Sequence, residues 1–157
     1  MARVLIIEDD QGIRDILADV LSGEGYAVQT AQNGLEGLER ARSERPDLIM
    51  LDLAMPTMNG WQFRAEQRRD PALAWIPVVV ISAERLTRDD VPTGVAAFLP
   101  KPFELSTFLE ILRRVPAGAA GARAASADRD PRGAQHRSSS RAASGVEGLI
   151  AVAAVHP

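Results

Sequence analysis

The chain of 157 residues is 46% apolar, carries 18 Lys or Arg against 21 Asp or Glu, and contains no cysteine. That length and composition suit one globular domain with a real core, and they exclude disulfides and thiolate metal sites. Residues 1–116 hold 13 basic against 18 acidic residues, and residues 117–157 hold five against three, so direct nucleic-acid binding is not expected of the acidic part. The opening MARVLII is too short for a signal peptide's apolar region, and no stretch approaches the ~20 apolar residues of a membrane span. A soluble, cytoplasmic protein with no membrane contact is the resulting expectation.

Val4-Leu5-Ile6-Ile7 is an apolar run that stops on Glu8-Asp9-Asp10, the pattern of a buried strand ending on carboxylates. Ile13, Ile16, Leu17, Val20 and Leu21 then recur at helical spacing and fade at Gly23 and Gly25. Ala27 to Ala31 reads as a short, weak strand. After the Asn33-Gly34 turn, Leu35, Leu38 and Ala41 form the apolar stripe of a second helix that must end before Pro46. Leu48 to Leu51 is a strand of the kind buried on both faces, closed by Asp52, and Pro56 and Gly60 turn the chain away from it. A helix from Gly60 to about Arg69 follows; Trp61 and Trp75 read as packing residues.

Ile76 to Ile81 is another buried strand, ending on Ser82. Pro92 and Gly94 interrupt the stretch after Ala83, so a helix there is expected to be short or irregular. Ala97-Phe98-Leu99 predicts a fifth strand before Pro100-Lys101-Pro102, and Leu105, Phe108, Leu109 and Leu112 predict a closing helix. Strands alternating with helices at this spacing imply an α/β fold, a doubly wound parallel sheet with helices on both faces in a three-layer sandwich. From Ala117 the chain changes to 13 Ala, five Gly, five Ser and five Arg with no aromatic residue, a composition that predicts a disordered tail over 117–157. His136 and His156 lie in it as exposed residues without a ligand partner at useful spacing.

In a parallel sheet the carboxyl ends of all strands share one rim, where α/β folds bind ligands. Glu8, Asp9 and Asp10, then Asp52, Ser82 and Lys101, would meet there. At an effective dielectric of ~20, two carboxylates ~4 Å apart repel by about 4 kcal/mol, so such a cluster needs a cation or protonation. Oxygen donors without His or Cys favour a hard ion, and Mg²⁺ fits best because it takes one or two carboxylates and keeps waters and a position for a phosphoryl oxygen.

Four motifs in order carry a family resemblance: Ile7-Glu8-Asp9-Asp10, Asp52-Leu53-Ala54-Met55-Pro56 with Gly60, Ser82-Ala83, and Lys101-Pro102-Phe103. On these, residues 1–116 resemble the receiver domain of bacterial two-component response regulators. The resemblance implies a flavodoxin-like sheet of strand order 2-1-3-4-5. It also implies that Asp52 accepts a phosphoryl group from a histidine kinase or phosphotransfer protein. Asp9, Asp52 and the Ala54 carbonyl would hold Mg²⁺, and Glu8 a metal-bound water; Asp10 would be merely solvated. Lys101 would pair with Asp52 before transfer and with a phosphoryl oxygen after it, Ser82 would bond another, and Phe98 would be the switch aromatic. A cis bond before Pro102 is likewise implied.

Two departures stand out. Lys101 follows Ser82 by only 19 positions, a few fewer than the family commonly has, and the loss falls where a fourth helix should lie. Ala54 cannot place a side-chain amide near an attacking water, whereas Glu84 could interact with it. The expected function is a stand-alone response regulator, a phosphoacceptor switch rather than an enzyme, acting as a monomer or weak homodimer on an unnamed downstream protein. A receiver-like interaction module that no longer switches is the alternative. A phosphohydrolase is disfavoured because Ala54 occupies the place of its second carboxylate.

Overall fold

A computed structural model of the protein describes residues 1–115 except 84, 85 and 88. The tail from 117 and Glu84 therefore lie outside the described residues. Nine elements are present among those described: β1 (Arg3–Ile7), α1 (Gln11–Gly23), β2 (Ala27–Ala31), α2 (Gly34–Glu44), β3 (Leu48–Asp52), α3 (Gly60–Arg69), β4 (Val78–Ser82), β5 (Ala97–Pro100) and α4 (Leu105–Arg114). All strand pairings are parallel, as the sequence pattern implies, and the order β2-β1-β3-β4-β5 is the one that the family resemblance implies.

Alternate residues of a strand point to opposite faces, and both faces of this sheet are apolar. Val4 and Ile6 of β1, Met50 of β3 and Val79 and Ile81 of β4 pack with Ile13, Leu17 and Leu21 of α1 and Phe108 and Leu112 of α4. Leu5, Ile7, Ile49, Leu51, Val78 and Val80 pack on the other side with Leu38 and Ala41 of α2 and Phe63 of α3. The result is three layers, with β1, β3 and β4 in the middle of the sheet.

Helix ends follow local chemistry. Asp10, Asn33 and Asn59 each cap a helix by accepting a backbone N–H, and Asn59 forms a reciprocal capping box with Gln62. At the end of α1, Gly25 takes φ of 91°, and the N–H groups of Gly25 and Tyr26 bond back to the carbonyls of Ser22 and Leu21. Two apolar positions depart from the periodic reading: Ile16 is 42% and Leu35 48% exposed, because the sheet is contacted by narrower helix stripes centred on Leu17 and Leu38. No helix forms between β4 and β5 among the described residues. That connection is instead tied to α3, where Trp61 Nε1 donates to the Asp90 carbonyl at 3.1 Å and Arg64 Nη2 to the Gly94 carbonyl at 3.0 Å. No helix of the described residues is long and apolar enough to cross a membrane.

Candidate functional site

The common direction of β1, β3, β4 and β5 brings their carboxyl ends together. Glu8 follows β1 directly, Asp52 closes β3, Ser82 closes β4 and Lys101 follows β5. One carboxylate oxygen from each of Glu8, Asp9 and Asp52 lies within 4.8 Å of the others. Glu8 and Asp52 are 1% and 3% exposed, whereas Asp9 stands in solvent. The Lys101 ammonium sits 2.8 Å from Glu8 Oε2 and 3.8 Å from Asp52 Oδ1. Lys101 thus closes first on Glu8, the more deeply buried carboxylate, and reaches Asp52 only at longer range, which adjusts the expectation of a primary pair with Asp52.

The electrostatics follow from burial. Desolvation, then the neighbouring Glu8 charge, pushes the Asp52 carboxyl up from 3.8 to about 8, and the Lys101 ammonium only partly opposes this. Burial also raises Glu8, against the pull of Lys101 and of the Asp10 N–H. One ammonium is too little positive charge for two buried carboxylates and a third beside them.

Ser82 is fully buried, and its carbonyl accepts the Lys101 N–H at 2.8 Å. Ala54 is exposed two residues beyond Asp52. Phe98 is half-buried on β5, packed toward the layer that holds α2 and α3. The Lys101-Pro102 bond is cis. Asp10 is more than a solvated residue: its Oδ1 accepts the Ile13 N–H at 2.9 Å and caps α1. Periodicity gave no reason to single out Arg14, yet its Nη1 donates to the Glu8 carbonyl at 2.7 Å. A cation just after an acidic run is the one signal that could have pointed to it.

A divalent cation suits this donor set. An octahedral Mg²⁺ with ligands at about 2.1 Å keeps its oxygens roughly 2.9 to 4.2 Å apart, and three carboxylate oxygens already within 4.8 Å need only a small closure. The upward shift of Asp52 comes first from burial and then from the Glu8 charge, and a bound cation would oppose both.

Fold and rim together define a flavodoxin-like α/β protein that gathers oxygen ligands and one ammonium at the carboxyl edge of its sheet. Residues 4–113 match the response regulator receiver domain family, and the chain belongs to it. It is 33% identical over 121 residues to protein PilH of Pseudomonas aeruginosa, a match covering 75% of this chain and all of PilH. Among solved structures it is similar to chemotaxis protein CheY4 of Vibrio cholerae, at a TM-score of 0.69 and 33% identity over 74% of this chain and 99% of that one. It also resembles the response regulator TrrA of Thermotoga maritima in complex with Mg²⁺-BeF, at a TM-score of 0.67 and 28% identity over 74% of this chain and 100% of that one. Several other curated relatives, named as transcriptional or response regulators, are longer, and the chain spans about half of them at 48% of their length.

Proposed function

We propose that the protein is a phosphoacceptor switch of a two-component or phosphorelay system, with Asp52 as the acceptor. The observation that carries this is the placing of Asp52: buried at the end of β3, within 4.8 Å of Glu8 and Asp9 oxygens and 3.8 Å from the Lys101 ammonium. In the reaction an Asp52 carboxylate oxygen forms a bond to phosphorus while the bond from phosphorus to the donor's imidazole nitrogen breaks, and the electron pair leaves with the imidazole. Phosphoryl transfer needs positioning and charge neutralisation more than covalent help from the protein. The chain supplies the first through the packed strand ends and part of the second through Lys101, whose ammonium can turn from Glu8 toward a phosphoryl oxygen. The buried Ser82 hydroxyl, one strand away, would donate to another.

Glu8, Asp9, Asp52 and the Ala54 carbonyl would hold Mg²⁺, which offsets the repulsion among the carboxylates and withdraws charge from the phosphoryl oxygens. The reading implies a cytoplasmic setting, a histidine kinase or phosphotransfer protein as donor and a protein target downstream. Incubation of the metal-replete protein with acetyl phosphate should add one phosphate, read by intact mass, and Asp52→Asn should abolish it. A wild type that stays unmodified refutes the proposal.

The connection between β4 and β5, helix-free among its described residues, favours a second reading in which the domain binds partners without switching. Under that reading, amide signals at Phe98 stay still when Mg²⁺ and beryllofluoride are added.

A further inference from the structure

Arg14 is set where helix stability alone would not choose a cation. It lies in the first turn of α1, a turn with no acidic residue, where the helix dipole disfavours positive charge by about 0.3–1 kcal/mol. Its half-buried side chain turns back toward β1 and spends its donors on main-chain oxygens, with Nη1 at 2.7 Å from the Glu8 carbonyl and 3.4 Å from the Asp9 carbonyl. Among the described residues it makes no ion pair. Arg14 therefore takes no side-chain oxygen of Glu8 or Asp9, while it fixes the peptide units that carry them.

The same short turn is held at its other corners. The Glu8 N–H donates to the Ala31 carbonyl at 3.0 Å, the Asp10 N–H to Glu8 Oε1 at 3.2 Å, and the Ile13 N–H to Asp10 Oδ1 at 2.9 Å. These three bonds use N–H groups; the carbonyls of Glu8 and Asp9 are what Arg14 takes. Without it the turn could rotate about these two residues and carry their carboxylates apart.

We propose that Arg14 is a positioning residue for the cation site: it locks the turn after β1 so that Glu8 and Asp9 converge with Asp52 on one divalent ion. This rests on the reading of the rim as a Mg²⁺-dependent phosphoacceptor site. Charge alone predicts the opposite effect, because removing a cation near three carboxylates should tighten binding of another cation. The sign of the change therefore separates positioning from bulk electrostatics.

The test is calorimetric titration of Mg²⁺ into the metal-free full chain, wild type against R14M and R14K. Outer-shell contacts of this kind are worth roughly 10–100-fold in metal affinity, so R14M should bind about tenfold more weakly. R14K, which keeps a charged donor for the carbonyls, should recover most of the loss. The Mg²⁺ concentration giving half-maximal phosphorylation by acetyl phosphate should rise in step for R14M, whereas a general loss of structure would lower the plateau. If R14M does not fold, as judged by circular dichroism, R14Q replaces it under the same criterion. Equal or tighter Mg²⁺ binding by the uncharged variant overturns the proposal while leaving the site itself intact. A wild type that binds no Mg²⁺ overturns both the proposal and the reading beneath it.

Discussion

Replacing Asp52 by its neutral isostere should stabilise the metal-free protein, and the structure says by how much and at which pH. Folding raises the Asp52 carboxyl from 3.8 to about 8, chiefly by desolvation and then by the nearby Glu8 charge. The folded state thus holds a proton that the unfolded chain gives up. Stability is full below the unfolded value, declines as pH rises past it, and levels off above about 8. At pH 7 the protein has moved some three pH units along that decline at about 1.4 kcal/mol each, a cost on the order of 4 kcal/mol. Asn at this position carries no charge in either state and avoids the cost. Thermal melts in EDTA should place D52N roughly ten degrees or more above wild type at pH 7. The gap should shrink toward zero at pH 4 and change little between pH 8 and pH 9. Mg²⁺ at about 100 times its Kd should return about 2.7 kcal/mol to the wild type and little to D52N. A D52N protein no more stable than wild type at pH 7, or a gap that ignores pH, would refute the electrostatic account of the rim.

Gly60→Ala should destabilise the domain by about 1–3 kcal/mol in urea unfolding, because the new methyl would stand 2.6 Å from the Asp52 carbonyl oxygen and 2.7 Å from the Leu53 Cα, both main-chain atoms. An unchanged midpoint would show that the start of α3 can move away from the end of β3. Lys101→Met removes the ammonium shared by Glu8 and Asp52, and the rate of phosphorylation at saturating Mg²⁺ should fall about 100-fold; a rate within threefold of wild type would remove Lys101 from the transfer step. Mg²⁺ with beryllofluoride should shift the amide signals of Ser82 and Phe98 together in two-dimensional NMR, and movement of Ser82 alone would leave Phe98 as a packing residue.

What the sequence makes legible is whatever depends on runs and periods. The strands β1, β3 and β4 are buried on both faces, so each appears as an uninterrupted apolar stretch whose end is marked by a charged or hydroxyl residue. Parallel topology then places Glu8, Asp9, Asp52, Ser82 and Lys101 on one rim without further information. What is not legible depends on distance and on main-chain partners. Lys101 lies nearer Glu8 than Asp52 by the difference between 2.8 and 3.8 Å, which no spacing encodes. Asp10 is one acidic residue among three until its oxygen is seen to cap α1, and Arg14 bonds carbonyls that a pattern of side chains cannot show. Ile16 and Leu35 fit the helical period yet face solvent, since period fixes an angle around the helix and not the width of the face the sheet covers.

The partners chosen at the rim explain why a divalent ion, rather than more lysine, would complete it. Lys101 divides its single charge between two carboxylates and satisfies the deeper one, so the deficit falls on Asp52, the group that under the proposed function would have to be ionised to attack phosphorus. A second ammonium in hydrogen-bond contact with these oxygens would occupy the positions that an incoming phosphoryl group needs. Arg14 adds positive charge nearby through carbonyls and takes none of the carboxylate oxygens itself. A small hard cation suits these oxygens in charge and donor type, and it can share coordination with a phosphoryl oxygen. Under the proposed function, phosphorylation would add about −1.5 to −2 of charge where the ends of β4 and β5 present the buried Ser82 and the Lys101 ammonium. That change would fall at the start of the connection that leads from Ser82, past the Trp61 and Arg64 ties to α3, to Phe98.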